Sequence, residues 1–215
     1  MNEVKLVAIS KPVINGINTA DELIAYCARV SNPENQYNTQ TAPKLIKYLI
    51  KNNHWSPLEM VSLTMEIITT RDIARQILRH RSFSFQEFSQ RYSVQQNYIS
   101  DRELRLQDKK NKQNSIESDD IELSEKWKKM QNLVAISSNE AYNWALQNGI
   151  AKEQARVLLP EGLTQSTLYM HGTLRSWFHY CQLRTGNGTQ KEHKIIANEC
   201  KTIIMENFPS LNGVI

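Results

Sequence analysis

Arg79-His80-Arg81-Ser82-Phe83-Ser84-Phe85-Gln86-Glu87-Phe88-Ser89-Gln90-Arg91 is the stretch from which the rest of the chain is read. Three arginines, a histidine, two amides and several hydroxyls fall within it. A guanidinium is a rigid planar fork that grips a phosphate, or a planar anionic ring, with two parallel hydrogen bonds. Phe83, Phe85 and Phe88 alternate with the polar groups, so this is not a plain solvated charge run. The reading is an anion-binding site mounted on a folded core. Upstream, Arg71 and Arg75 precede Arg79 at i, i+4, i+8, which predicts a single arginine-bearing face on a helix over 72–80.

Working outward, the 215 residues fit one large domain, spanning 1–215. Hydrophobic residues make up 40% of it, enough for a sizeable core, and the net charge is +4. That mild excess suits an anionic ligand without requiring nucleic acid. The N-terminal residues lack a signal-peptide pattern. No apolar run nears the roughly 20 residues of a membrane helix. Cys27, Cys181 and Cys200 are odd in number, widely spaced and form no Cys-x-x-Cys pair, so they read as reduced, buried thiols of a cytoplasmic protein.

Periodicity predicts an α+β domain with an antiparallel sheet flanked by helices. Strands are expected at Val4–Ser10, at Met60–Thr69 (Val61, Leu63, Met65 and Ile67 on one side) and at Leu163–Met170. Helices are expected at Thr19–Val30, Ala42–Asn52, Asp72–His80, Glu122–Asn148 before Gly149, Lys152–Leu159 before Pro160, Thr173–Arg184 and Gln190–Asn207. The polar stretch 107–120 reads as an exposed insertion loop.

Four constellations carry chemistry: His54-x-Ser56-Pro57-x-Glu59; Gln76-x-x-Arg79-His80-Arg81 with Glu87-x-Ser89-Gln90-Arg91-Tyr92; Arg156-x-x-Leu159-Pro160; and Arg175-x-x-x-His179 with Arg184, followed by Gln190-x-Glu192. Each alone has a plain alternative. A histidine before Ser-Pro also caps loops, and arginines in a last helical turn also complement the helix dipole.

Together they resemble one family. Arg79-His80-Arg81-x7-Ser89 matches the signature of the flavin-dependent thymidylate synthases, also called thymidylate synthase complementing proteins. The flanking motifs match in order, so the resemblance covers about residues 50–195. It implies that family's fold and conversion of dUMP to dTMP. The one-carbon donor would be methylenetetrahydrofolate and the reductant NADPH, acting through FAD. It further implies a homotetramer with active sites at subunit junctions, no nucleic-acid partner, no membrane and no metal. The implied flavin-side residues are His54, Ser56, Glu59, Arg79, His80, Arg81, Glu87, Arg175 and His179. Gln76, Arg79, Glu87, Ser89, Gln90, Arg91, Tyr92, Arg156 and Arg184 map to substrate binding. Arg184 is the catalytic candidate, stabilising charge that develops on the uracil. Tyr92 and His54 are expected near the folate ring. Ser56 and Thr173 depart from the Thr and Asn of other members.

The residues agree with this reading. Pyrophosphate, a nucleotide phosphate and a folate glutamate tail together call for several cations. Ser89 has no adjacent base and orienting partner in sequence, so it reads as a hydrogen-bond donor rather than a nucleophile. No cysteine falls in a signature segment, which implies a mechanism without an enzyme thiolate. Two other readings compete. One is a basic nucleic-acid-binding protein using Arg71, Arg75, Arg79 and Arg81, weakened by the nearby Glu59, Glu66 and Glu87. The other is a related flavoprotein with a different acceptor, weakened by the joint match at Arg156 and Arg184.

Overall fold

Alternating hydrophobicity builds the centre of the molecule, and helical periodicity supplies its cover. The computed structural model describes residues 2–95 and 102–215. In chain order the elements are β1 (Glu3–Ile9), α1 (Ala20–Ala28), α2 (Ala42–Lys51), β2 (Ser62–Thr70) and α3 (Arg71–Ile77). They continue with β3 (Ser84–Glu87), β4 (Arg105–Gln107), β5 (Ser115–Glu117) and α4 (Ile121–Gln147). The chain ends with α5 (Lys152–Ala155), β6 (Gln165–Thr173), α6 (Leu174–Arg184) and α7 (Lys191–Asn207).

The main sheet has the order β1-β2-β6-β3, and all its pairs are antiparallel. Strands β2 and β6 pair along their whole length, from Ser62 opposite Thr173 to Thr70 opposite Gln165. Leu63, Met65 and Ile67 point to one face, as the alternation predicts, and bury fully with Leu168 and Met170. That face packs against Ile73 and Ile77 of α3, Trp177 and Phe178 of α6, and Ile196 and Ile204 of α7. The expected α+β architecture in one domain is what forms.

Local chemistry fixes the ends that matter for the site. Thr19 and Glu22 make a reciprocal capping box at α1. Asn53 follows α2 at φ 58, a left-handed conformation that asparagine tolerates, and the turn lets the His54 N–H donate to Leu49 O at 2.8 Å. Thr173 caps α6 by accepting from Ser176 N, so β6 runs straight into α6. Gly149, at φ +77, closes α4.

Three expectations are corrected. Helix α3 stops at Ile77, and Arg79 lies in the following turn, so the three-arginine helical face does not form. The helix expected over Lys152–Leu159 ends at Ala155 and tightens into a 3-10 turn, Arg156–Leu158, before Pro160. The stretch 107–120 is mostly exposed but not structureless, because Arg105–Gln107 and Ser115–Glu117 pair as a hairpin. Strand β3, inside the signature stretch, has no counterpart among the expected strands.

Candidate functional site

Three groups of side chains carry the predicted residues. The first surrounds the start of α6. Arg175 Nη1 donates to Glu59 Oε1 at 2.6 Å. Glu59 lies with Ser56 on the 3-10 turn Ser56–Met60. His179, one turn along α6, lies against Trp55 with ring centroids 4.6 Å apart. His54 meets the edge of Tyr48 at 6.3 Å. Two elements distant in sequence therefore present His54, Ser56, Glu59, Arg175 and His179 together, all but half-buried Arg175 exposed.

The second group lies at the other end of α6. Arg184 Nε donates to His80 Nε2 at 2.9 Å. His80 can accept only as a neutral imidazole, and its surroundings keep it so. Burial, then the Arg184 and Arg79 charges, lower its pKa to about 4. Its ring stands edge-on to Tyr180, centroids 4.9 Å apart. Phe83 packs against Trp177 at 4.8 Å and holds the turn after His80 in place. Gly172 makes that possible, since a Cβ there would lie 2.4 Å from the Phe83 ring. Behind this pair, His193 is fully buried. Its Nδ1–H donates to Gln76 Oε1 at 3.2 Å, and its Nε2 accepts from the Tyr180 hydroxyl at 3.1 Å. Burial, Arg184 and His80 hold its pKa down to about 3.

The third group lies where β3 ends. Glu87 accepts from Ser166 Oγ at 2.7 Å and lies 3.5 Å from Arg71 Nη1. Arg71, Arg75, Gln90 and Arg156 line a cavity of about 460 Å³. Gln90 is buried and donates to Gln95 Oε1 at 3.2 Å. Ser89, Arg91 and Tyr92 line an adjoining cleft with Lys152 and Glu153, and Arg91 is 3.4 Å from Glu153. Among the described residues no base hydrogen-bonds the Ser89 hydroxyl. No hydrogen bond or ion pair joins the three groups among the described residues.

Electrostatics separates the arginines that have a carboxylate partner from those that do not. Arg71, Arg75, Arg91, Arg102, Arg105 and Arg175 each face a carboxylate. Arg29 is held by Asn38 O and Thr41 Oγ1. The side chains of Arg79, Arg81 and Arg156 have no hydrogen bond or ion pair among the described residues, and the Arg184 guanidinium has only the neutral His80. All four belong to the predicted site. They are cations that the described part of the fold leaves uncompensated.

A family model described as thymidylate synthase complementing protein matches residues 12–210. The chain belongs to the thymidylate synthase complementing protein family. It is 52% identical over 207 residues to a probable flavin-dependent thymidylate synthase of Paramecium bursaria Chlorella virus 1, covering 96% of this chain and 95% of the relative. It is 48% identical over 213 residues to a flavin-dependent thymidylate synthase of Synechocystis sp., covering 97% of each. A solved UMP/dUMP methylase, PolB from Streptomyces cacaoi bound with 5-Br dUMP, matches with a TM-score of 0.82 at 28% identity, over 98% of this chain and 92% of that one.

Within this member of the thymidylate synthase complementing protein family, sequence reasoning missed the polar residues behind the site. Tyr180, Ser166 and His193 have no motif of their own. Gln190 and Glu192 were visible as a pair beside the fourth constellation, but nothing in the sequence gave them a target. Apart from each other, the side-chain partners Gln76 and Arg105 lie more than eighty residues away in the chain.

Proposed function

We propose that the chain acts as a flavin-dependent thymidylate synthase, converting dUMP to dTMP with methylenetetrahydrofolate as carbon donor and NADPH as reductant through FAD. The observation that carries this is the set of uncompensated arginines, Arg79, Arg81, Arg156 and Arg184. Half-buried Arg184 has no counter-charge among the described residues, which is costly and calls for an anionic ligand. Exposed Arg79, Arg81 and Arg156 have forks that no described residue engages, ready to take one. The donor set fits FAD. Arg79 and Arg81 flank neutral His80 and can take a pyrophosphate bidentately. Arg175, His179, His54, Ser56 and Glu59 offer further polar contacts at the start of α6. A flavin held there supplies the redox chemistry that reduces the transferred carbon.

The chain's own residues would do the rest. Arg184 spends its Nε–H on His80 and keeps four N–H donors for the uracil ring. Charge developing on the ring would be met by a fixed guanidinium, which is electrostatic stabilisation by a preoriented group. Gln76, Gln90, Ser89, Arg91 and Arg156 would hold the ribose and phosphate, with Glu87 orienting Arg71 beside them. Tyr92, largely exposed, and His54 remain candidates for folate contact. No thiolate is called on. Burial raises the Cys181 pKa to about 12, buried Cys200 is also shifted up, and half-buried Cys27 is raised by burial.

A homotetramer with shared sites is part of this reading. Helix α4 leaves Trp127, Met130, Leu133, Ile136 and Trp144 exposed, an apolar face of the kind other copies cover. A neighbouring subunit would bring its own residues to join the three groups. Cytoplasmic location is likewise an inference, from reduced thiols; no described helix is long and apolar enough to cross a membrane. The nucleic-acid alternative loses support because Arg71 and Arg75 are matched by Glu87 and Glu161.

The test is a visible absorption spectrum of the protein with FAD, followed by titration with dUMP. Flavin bands that shift on adding the nucleotide are expected. Absence of flavin binding under every condition would overturn the reading.

A further inference from the structure

A chain of buried and half-buried polar side chains leads away from the His80–Arg184 pair. Tyr180 donates to His193, and His193 donates to Gln76. Gln76 Nε2 donates to Gln190 Oε1 at 2.7 Å. Gln190 Nε2 donates to Glu192 Oε2 at 3.0 Å. Arg105 Nη2 then closes on both Glu192 oxygens at 2.5 and 2.8 Å. The two partners of this last pair are only 10% and 15% exposed. Every amide in the chain is fixed in one orientation, because a carboxylate at its end can only accept. Arg105 belongs to the β4–β5 hairpin. The same hairpin is tied to the start of α7 by Lys191, which bonds Glu103 at 3.0 Å and Glu117 at 2.5 Å.

We propose that Arg105 and Glu192 are positioning residues for Gln76, so that the hairpin otherwise readable as an insertion sets the geometry of the nucleotide pocket. The proposal rests on the reading of Gln76 as a nucleotide-binding residue. The physical argument is one of orientation. Gln76 has two ends that differ chemically, and its amide flips freely unless both are engaged. His193 engages the oxygen and Gln190 the nitrogen, which leaves one N–H and one lone pair for a ligand. Gln190 stays put only while Glu192 accepts from it. Glu192 stays ionised and inward only while Arg105 neutralises it. Without Arg105, a largely buried carboxylate lacks its cation and leaves for solvent or takes a proton. Gln190 then loses its anchor, and Gln76 loses the acceptor that fixes it.

The experiment compares Arg105→Gln, Glu192→Gln, their double variant and Gln76→Ala in the FAD-loaded enzyme. It reads the dUMP dissociation constant from the flavin spectrum, and kcat and KM separately. Arg105→Gln should weaken dUMP by about tenfold, the loss of roughly one hydrogen bond, with flavin content and kcat at saturating dUMP retained. The double variant should recover most of the affinity, because a neutral amide at position 192 needs no cation and its carbonyl still accepts from Gln190. A wild-type dUMP affinity in Arg105→Gln, alongside weakened binding in Gln76→Ala, overturns the positioning role. So does a double variant as weak as the single. Unchanged binding in Gln76→Ala instead overturns the nucleotide reading of that residue, and the proposal with it. Should Arg105→Gln fail to fold, Arg105→Lys keeps the charge but loses the fork, and must shift KM in the same direction by a smaller factor.

Discussion

His80 and Arg184 show how one side chain's protonation state can serve another. A protonated imidazole could not accept from Arg184, and two cations side by side would repel. Burial and the arginines keep His80 neutral, so a single hydrogen bond at 2.9 Å fixes the guanidinium plane. If Arg184 acts on the uracil, Arg184→Ala should lower kcat by about a hundredfold to a thousandfold, the typical effect of losing one charge-stabilising donor. Flavin should stay bound, because Arg79, His80 and Arg81 remain. Steady-state kinetics together with the flavin absorbance of the purified variant decides this; loss of flavin with retained nucleotide affinity would reverse the assignment. The signature motif made His80 legible, and the flanking motif downstream made Arg184 so. The bond between them, spanning 104 positions, was not legible, because it depends on the fold bringing the turn after α3 to the end of α6.

At the scale of elements, the junction of β6 and α6 positions the first group of candidate residues and the seat of Phe83. Its Thr173 cap, the Arg175–Glu59 pair and the seat of Phe83 on Gly172 all fall within a few residues. Gly172→Ala should cost about 1–3 kcal/mol, the usual penalty of overpacking, because the new methyl would drive into Phe83. Thermal unfolding of the variant tests it, and an unchanged midpoint would mean that Phe83 is not wedged against Gly172. The short strand β3 escaped sequence reading because Phe83 and Phe85 alternate over too few residues to signal a period. Helix α3 was overextended because Arg79 keeps the spacing of Arg71 and Arg75. Spacing cannot report that the chain turns after Ile77, where Leu78 and His80 N–H groups close on Ala74 and Ile77.

For the whole molecule, half-buried His80 and buried His193 set an acid limit. Folding holds His80 at about 4 and His193 at about 3, against an ordinary 6.5. Between pH 6.5 and about 4 the unfolded chain therefore binds protons that the folded chain refuses. Stability is full above pH 6.5 and should decline as the pH falls through that window. Urea unfolding across pH 4–8 measures the slope, and His193→Gln should flatten it by removing one of the two protons. A slope identical to that of the parent protein would show that His193 titrates normally. The exposed apolar face of α4 belongs to the same scale. Its residues are legible one by one as hydrophobic, yet their failure to reach the core appears only when the fold is assembled.

By itself, the sequence determined the class of fold, the main strand and helix periods, the signature arginines and the lack of a cysteine in any signature segment. These follow from local pattern and residue chemistry, which the chain carries wherever it goes. Tertiary structure alone decided which arginines are compensated and which are not. It also decided that His80 is neutral, and that a hairpin arginine reaches Gln76 through Glu192 and Gln190. Those outcomes depend on burial and on partners brought together from distant positions, and a linear pattern encodes neither the dielectric around a charge nor the identity of its neighbour.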